Sequence, residues 1–209
     1  GTDNRCLLNA LQKMGVSARG IAVVAEGTSI NQLMVLHAAG VRGIRINAPR
    51  ALPEELGARL SAMRVCLGTI ADLGWHVQIY GRPQHFDLLQ RFLANTDLPF
   101  VFDHCGGLPD AGEGVGARIE ALRRLIGTGR GYVKLSGAYR IGDFGEPENF
   151  RQLIAGLIGE NPDGLIWGSD WPHTAAHGYE PFKNNHVPPF RQIDTGATID
   201  QFADAIGSV

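Results

Sequence analysis

Short apolar segments alternate along this chain with longer amphipathic ones, the pattern of parallel strands joined by crossover helices. The short runs predict strands over residues 20–24, 41–47, 75–80, 99–104, 131–136 and 164–170. Apolar positions at helical spacing predict helices over 4–14, 30–39, 53–73, 84–95, 115–127 and 148–158, with a short closing helix over 198–206. Gly15, Gly40 and Gly74 follow helical stretches as C-cap glycines do, and Asp3 or Asn4 can cap the first helix. Residues 174–196 read as a long loop.

Side chains alternate along a strand, so each run splits into two faces. In 41–47 one face carries Ile44 and Ile46, and the other Gly43, Arg45 and Asn47. In 75–80 Trp75, Val77 and Ile79 oppose His76, Gln78 and Tyr80. Val133 and Leu135 oppose Tyr132, Lys134 and Ser136, and Gly168 shares a face with Asp170. One face of every strand suits packing on helices, while the other grows polar toward the strand ends.

Six β/α units in succession suit a barrel or a doubly wound sheet. A doubly wound nucleotide-binding sheet carries a glycine-rich phosphate turn after its first strand, and Ala25-Glu26-Gly27-Thr28 contains none. The expected fold class is therefore α/β, a (β/α)8 TIM barrel. A whole barrel takes eight strands and about 250 residues. This chain is expected to hold about six of the eight units, as a single domain over 1–209, with the first two strands preceding Gly1.

Composition narrows the partners. No apolar run approaches the roughly 18 residues of a membrane span. A net charge of −2 without a Lys/Arg cluster gives no field for nucleic acid. Three scattered cysteines, Cys6, Cys66 and Cys105, suit free thiols in a reducing cytoplasm.

The segment from Leu165 to Thr174 leaves Asp170 at a strand's C-terminal end, the face where barrel chemistry collects. The plainer alternative is that Ser169 or Asp170 caps a short helix starting near Pro172. Arg45, Arg50 and Arg140 fall at or just past strand ends, and three guanidinium groups above one barrel mouth suit a substrate bearing carboxylates. Tyr80 ends a polar face, whereas His76 lies deeper as an interior histidine. Asp103-His104 before Gly106 and Gly107 can aim an imidazole over a substrate. Strict alternation puts His104 beside Phe100 and Phe102, so a bulge or twist is needed to bring it inside. Alternatively, Asp103 caps the next turn and His104 is incidental. Cys105 reads as a small apolar residue, and Lys134 either as a structural partner of a carboxylate or as part of the site.

Tyr80, Asp103-His-Cys-Gly106, Lys134-Leu-Ser-Gly-Ala-Tyr-Arg140 and Trp167-Gly-Ser-Asp-Trp-Pro-His173 together resemble the amidohydrolase superfamily, and within it the 2-pyrone-4,6-dicarboxylate lactonase-like branch. The resemblance implies a distorted barrel that hydrolyses a small carboxylated lactone, in aromatic-compound catabolism and without a required cofactor. It implies that Asp170 activates water and His104 polarises the lactone carbonyl, while Arg45, Arg50, Tyr80 and Arg140 hold substrate carboxylates. The base role calls for a carboxyl whose pKa burial raises. Two departures stand out: the Arg45–Arg50 spacing is one residue shorter than in the family, and no His-x-His occurs here. His37, His85, His173, His177 and His186 are isolated. The same resemblance admits a zinc-dependent sugar lactonase or decarboxylase, in which Asp170 and His104 would hold the metal, or a lactone isomerase. A non-catalytic barrel that binds small acids is the alternative from another class.

Overall fold

The computed structural model describes residues 1–48, 50–107, 115–140, 147–175 and 189–207. Six strands, β1 (Gly20–Ala22), β2 (Val41–Asn47), β3 (His76–Tyr80), β4 (Phe100–Phe102), β5 (Gly131–Leu135) and β6 (Leu165–Trp167), form one sheet in chain order. Every pairing is parallel. Sequential parallel strands with returning helices are the connectivity of a (β/α)8 barrel, and the described residues hold six such strands.

The helices among the described residues are α1 (Arg5–Met14), α2 (Ile30–Ala38), α3 (Pro53–Ala62), α4 (Arg64–Asp72), α5 (Phe86–Ala94), α6 (Val115–Ile126), α7 (Pro147–Glu160) and α8 (Thr195–Gly207). The single helix predicted over 53–73 is two, broken at Met63 where ψ reaches 7°. Leu56, Leu60, Met63, Leu67 and Ile70 are all buried, so the apolar spacing runs unbroken through the kink. Periodicity cannot reveal such a break. Asp3 Oδ1 accepts the Arg5 N–H at the start of α1, whereas Asn4 reaches across to clamp Val23, donating to its carbonyl and accepting from its N–H. Ser29 and Gln32 close a reciprocal capping box on α2. Of the loop expected over 174–196, residues 176–188 lie outside the described residues.

Register confirms the two faces. Gly43 pairs with His76, Arg45 with Gln78 and Asn47 with Tyr80, so these share the inner wall. Ile44, Ile46, Val77, Ile79, Phe100, Phe102 and Val133 turn outward into the helices, each at most 2% exposed. Burying each such side chain contributes about 1.5–3 kcal/mol, so the outer layer stabilises the sheet. The inner face is left to polar chemistry. No described helix is long and apolar enough to cross a membrane. Cys6, Cys66 and Cys105 form no disulfide.

Candidate active site

Asp103 continues the inner face of β4 and is 2% exposed. Its Oδ2 accepts from Gln78 Nε2 at 2.9 Å and pairs with Arg45 at 2.7 Å, while Oδ1 accepts from Lys134 Nζ at 2.9 Å. One carboxylate thus gathers β2, β3 and β5, and it is the structural partner of Lys134. Its side chain makes no cap bond to the following turn, which removes that alternative.

The next residue cannot reach the inside by the pleat. Instead the chain leaves β4 through left-handed backbone, with φ of 49° at His104 and 51° at Cys105, and the imidazole swings inward. Gly107 makes the turn possible: a Cβ there would lie 2.1 Å from the Gly81 carbonyl oxygen, at a φ of 92°. Cys105 is fully buried beside it. His104 Nδ1 lies 3.3 Å from Ser136 Oγ and Nε2 lies 3.9 Å from Asp170 Oδ1, with the ring edge-on to Tyr80. Burial pushes the imidazole pKa down to about 4, and the carboxylates of Asp103 and Asp170 oppose this only in part. The ring is therefore neutral at pH 7.

Past β6, Asp170 also takes left-handed backbone, φ 59°. Residues 171–175 form a turn with no helix, so Ser169 and Asp170 cap none near Pro172; Ser169 Oγ instead accepts the Trp171 N–H. Asp170 Oδ2 accepts from Tyr139 Oη at 2.6 Å and from Arg140 Nε. Arg140 also donates to the Thr174 carbonyl and hydroxyl, at 2.9 and 3.1 Å. Burial pushes the Asp170 carboxyl up, but the bonds from Tyr139 and Arg140, helped by the fields of His104 and Arg140, bring it below the ordinary carboxylate range. The expected rise is reversed, because burial here comes with donors.

Arg45 lies over the Tyr80 ring, 5.5 Å from its centre. Its Nε is buried and has no hydrogen-bond partner among the described residues. Tyr80 is itself buried, which raises its phenol pKa. Arg45, Tyr80, His104, Asp170 and Arg140 thus form one run of contacts, whereas Arg50 stands apart on an exposed turn before α3. Sequence reasoning missed Tyr139, Thr174 and the hub role of Asp103. The inward alternation from Val101 to Asp103 was the available signal for the last. His76 is an interior group as expected, its pKa lowered by burial and by Lys134.

Zinc, admitted by the resemblance, does not fit these residues. Asp170 gives Oδ2 to a guanidinium and a phenol, and a cation there would face the charge of Arg140. Among the described residues no three His, Cys, Asp or Glu side chains converge as a metal site needs. His177 and His186 lie outside the described residues.

Comparison with known proteins agrees with this architecture. The chain is 32% identical to a 2-pyrone-4,6-dicarboxylate hydrolase of Comamonas testosteroni over 96% of its own length, and spans 64% of that relative. A Pseudomonas putida crystal structure, provisionally described as a 2-pyrone-4,6-dicarboxylic acid hydrolase, superposes with a TM-score of 0.77 at 31% identity, covering 98% of this chain and 71% of that one. An Acinetobacter baumannii structure of the same provisional description, with citric acid bound, gives a TM-score of 0.76 at 26% identity, covering 99% and 73%. Residues 1–188 match the amidohydrolase family, and with the parallel sheet and its polar C-terminal face in place, the chain belongs to that family.

Proposed function

We propose that this protein is a hydrolase that opens a small carboxylated lactone with water activated by Asp170, without a metal or redox cofactor. The observation that carries the proposal is the apposition of Asp170 Oδ1 and the neutral His104 ring, 3.9 Å apart at the C-terminal end of a parallel sheet. A water against Oδ1 gives its proton to Asp170 as its oxygen bonds to the lactone carbonyl carbon. With Ser136 donating to Nδ1, His104 Nε2 keeps the ring proton and offers it to the carbonyl oxygen as negative charge gathers there. The carbonyl re-forms, the ring C–O bond breaks, the ring oxygen takes the proton from Asp170, and a ring-opened acid leaves.

Asp170 begins as a weak base, because Tyr139 and Arg140 hold its pKa down. A substrate carboxylate competing for Arg140 loosens that hold and strengthens the base when substrate is present. Arg45, beside Tyr80, binds a second carboxylate through bidentate geometry. The pyrone dicarboxylate named for the Comamonas relative and the citric acid in the Acinetobacter structure, both polycarboxylates, support an anionic substrate. Such a reaction belongs to the breakdown of aromatic compounds.

Asp170→Asn in the full-length protein is the test. Binding of the lactone persists while turnover falls about a thousandfold, the weight of a general base. Hydrolysis at the parental rate removes the assigned base, and a strict requirement for stoichiometric zinc removes the metal-free route.

A further inference from the structure

Resting on the reading of Asp170 as the base, we infer that Tyr139 and His173 are a positioning pair that captures one oxygen of Asp170 and leaves the other, Oδ1, as the basic atom. The turn after β5 carries Tyr139, whose Oη lies 2.6 Å from Asp170 Oδ2 and 3.0 Å from His173 Nδ1. A phenol has one proton to give. Asp170 is ionised and can only accept, and the Tyr139 phenol, pushed up to about 12 by burial and then by Asp170 itself, keeps its proton. That proton therefore goes to Oδ2. On its other side the phenol oxygen must accept, so His173 Nδ1 must carry hydrogen.

The far side of the ring agrees. His173 Nε2 lies 3.3 Å from Thr195 Oγ1 at the start of α8, and a hydroxyl can donate to a bare nitrogen or accept from a protonated one. The pair therefore holds whether the ring is neutral or charged. His173 is 5% exposed, and its backbone is pinned as well: its N–H donates to the Asp170 carbonyl and its carbonyl accepts from the Arg191 N–H, both at 2.8 Å. Among the described residues, the other charged groups facing this cluster are Arg140 on Oδ2, Arg191 over the Tyr139 ring at 5.3 Å, and, when protonated, His104 toward Oδ1. With Tyr139 and Arg140 both on Oδ2, the oxygen turned toward His104 is the one left for water.

The test begins with the wild-type full-length protein labelled with ¹⁵N-histidine. His173 Nδ1 shows the nitrogen shift of a protonated ring nitrogen across pH 6–9; an unprotonated Nδ1 overturns the inference whatever the reaction proves to be. Kinetics then follow. Tyr139→Phe and His173→Ala each lower kcat about ten- to a hundredfold, the weight of one hydrogen bond to a charged group, with KM nearly unchanged. His173→Asn, whose amide can donate from the place of Nδ1, recovers most of the loss. A loss confined to KM, or no recovery with Asn, overturns the pair. Where a variant fails to fold, the wild-type nitrogen shift decides. A protonated Nδ1 in a protein that hydrolyses no lactone would instead remove the proposed reaction and leave the pair standing.

Discussion

Replacing Asp103 with Asn removes the charge that Arg45 and Lys134 share while keeping the side chain's volume, so the loss is electrostatic rather than packing. Breaking a fully buried ion pair by removing one partner costs about 3–5 kcal/mol. Here the carboxylate is buried, but the two cations are partly wet, with side-chain exposures of 32% and 25%. Water recovers part of the loss, and the expected destabilisation is about 2–3 kcal/mol. For a urea slope of about 3 kcal/mol per molar, the unfolding midpoint of the full-length protein falls by about 0.7–1 M. The assay is equilibrium urea unfolding at pH 7 for Asp103→Asn, Lys134→Met and the double variant, which form a double-mutant cycle. A coupling of about 1 kcal/mol or more between the two positions is expected, because they share a charge-assisted bond. Arg45 also loses its anchor, so KM for a carboxylated lactone rises while kcat falls less. A midpoint shift below about 0.2 M, with no coupling, refutes the hub.

His104 carries a folded-state pKa of about 4 against an ordinary 6.5. The unfolded chain takes up the proton first, so this group's share of stability is intact above about pH 6.5 and drains by about 3 kcal/mol as pH falls toward 4. His76, lowered by the same burial, acts in the same direction. His104→Gln flattens that slope in urea midpoints taken from pH 7 to 4; an unaltered slope contradicts a buried neutral ring. Arg140→Met removes a donor and a cation that lower the Asp170 pKa, so the acid limb of kcat/KM moves to higher pH and KM rises. A limb that stays in place separates Arg140 from Asp170. Gly137→Ala would set a Cβ 2.8 Å from His104 Nδ1 and 3.2 Å from Asp170 Oδ2 at a φ of 57°. Turnover falls by at least about tenfold, and parental turnover would show that this wall yields.

Strand faces were legible because they rest on period-two alternation alone: Ile44 and Ile46 against Arg45, and Val77 and Ile79 against Gln78, fall on the sides expected. Strand ends were not. The run 99–104 gives only Phe100–Phe102, because left-handed backbone at His104 ends the ladder and apolarity carries no sign of φ. The Arg140–Asp170 contact joins residues 30 apart through two turns, which no spacing rule describes. The Asp170 pKa was misjudged for the same reason. Burial can be read from an apolar strand, but the Tyr139 and Arg140 donors arrive from another unit. His173 looked isolated in sequence, yet its partners Tyr139 and Thr195 lie 34 and 22 residues away.

The left-handed turn after β4 uncouples the aim of residue 104 from the pleat that precedes it. Phe100 and Phe102 wedge beneath the helices, while the imidazole two residues on faces the opposite way. Divergence in the hydrophobic jacket and retuning of reactivity can therefore proceed on separate residues of one short segment, so a barrel of this kind can drift in sequence without losing the direction of its imidazole.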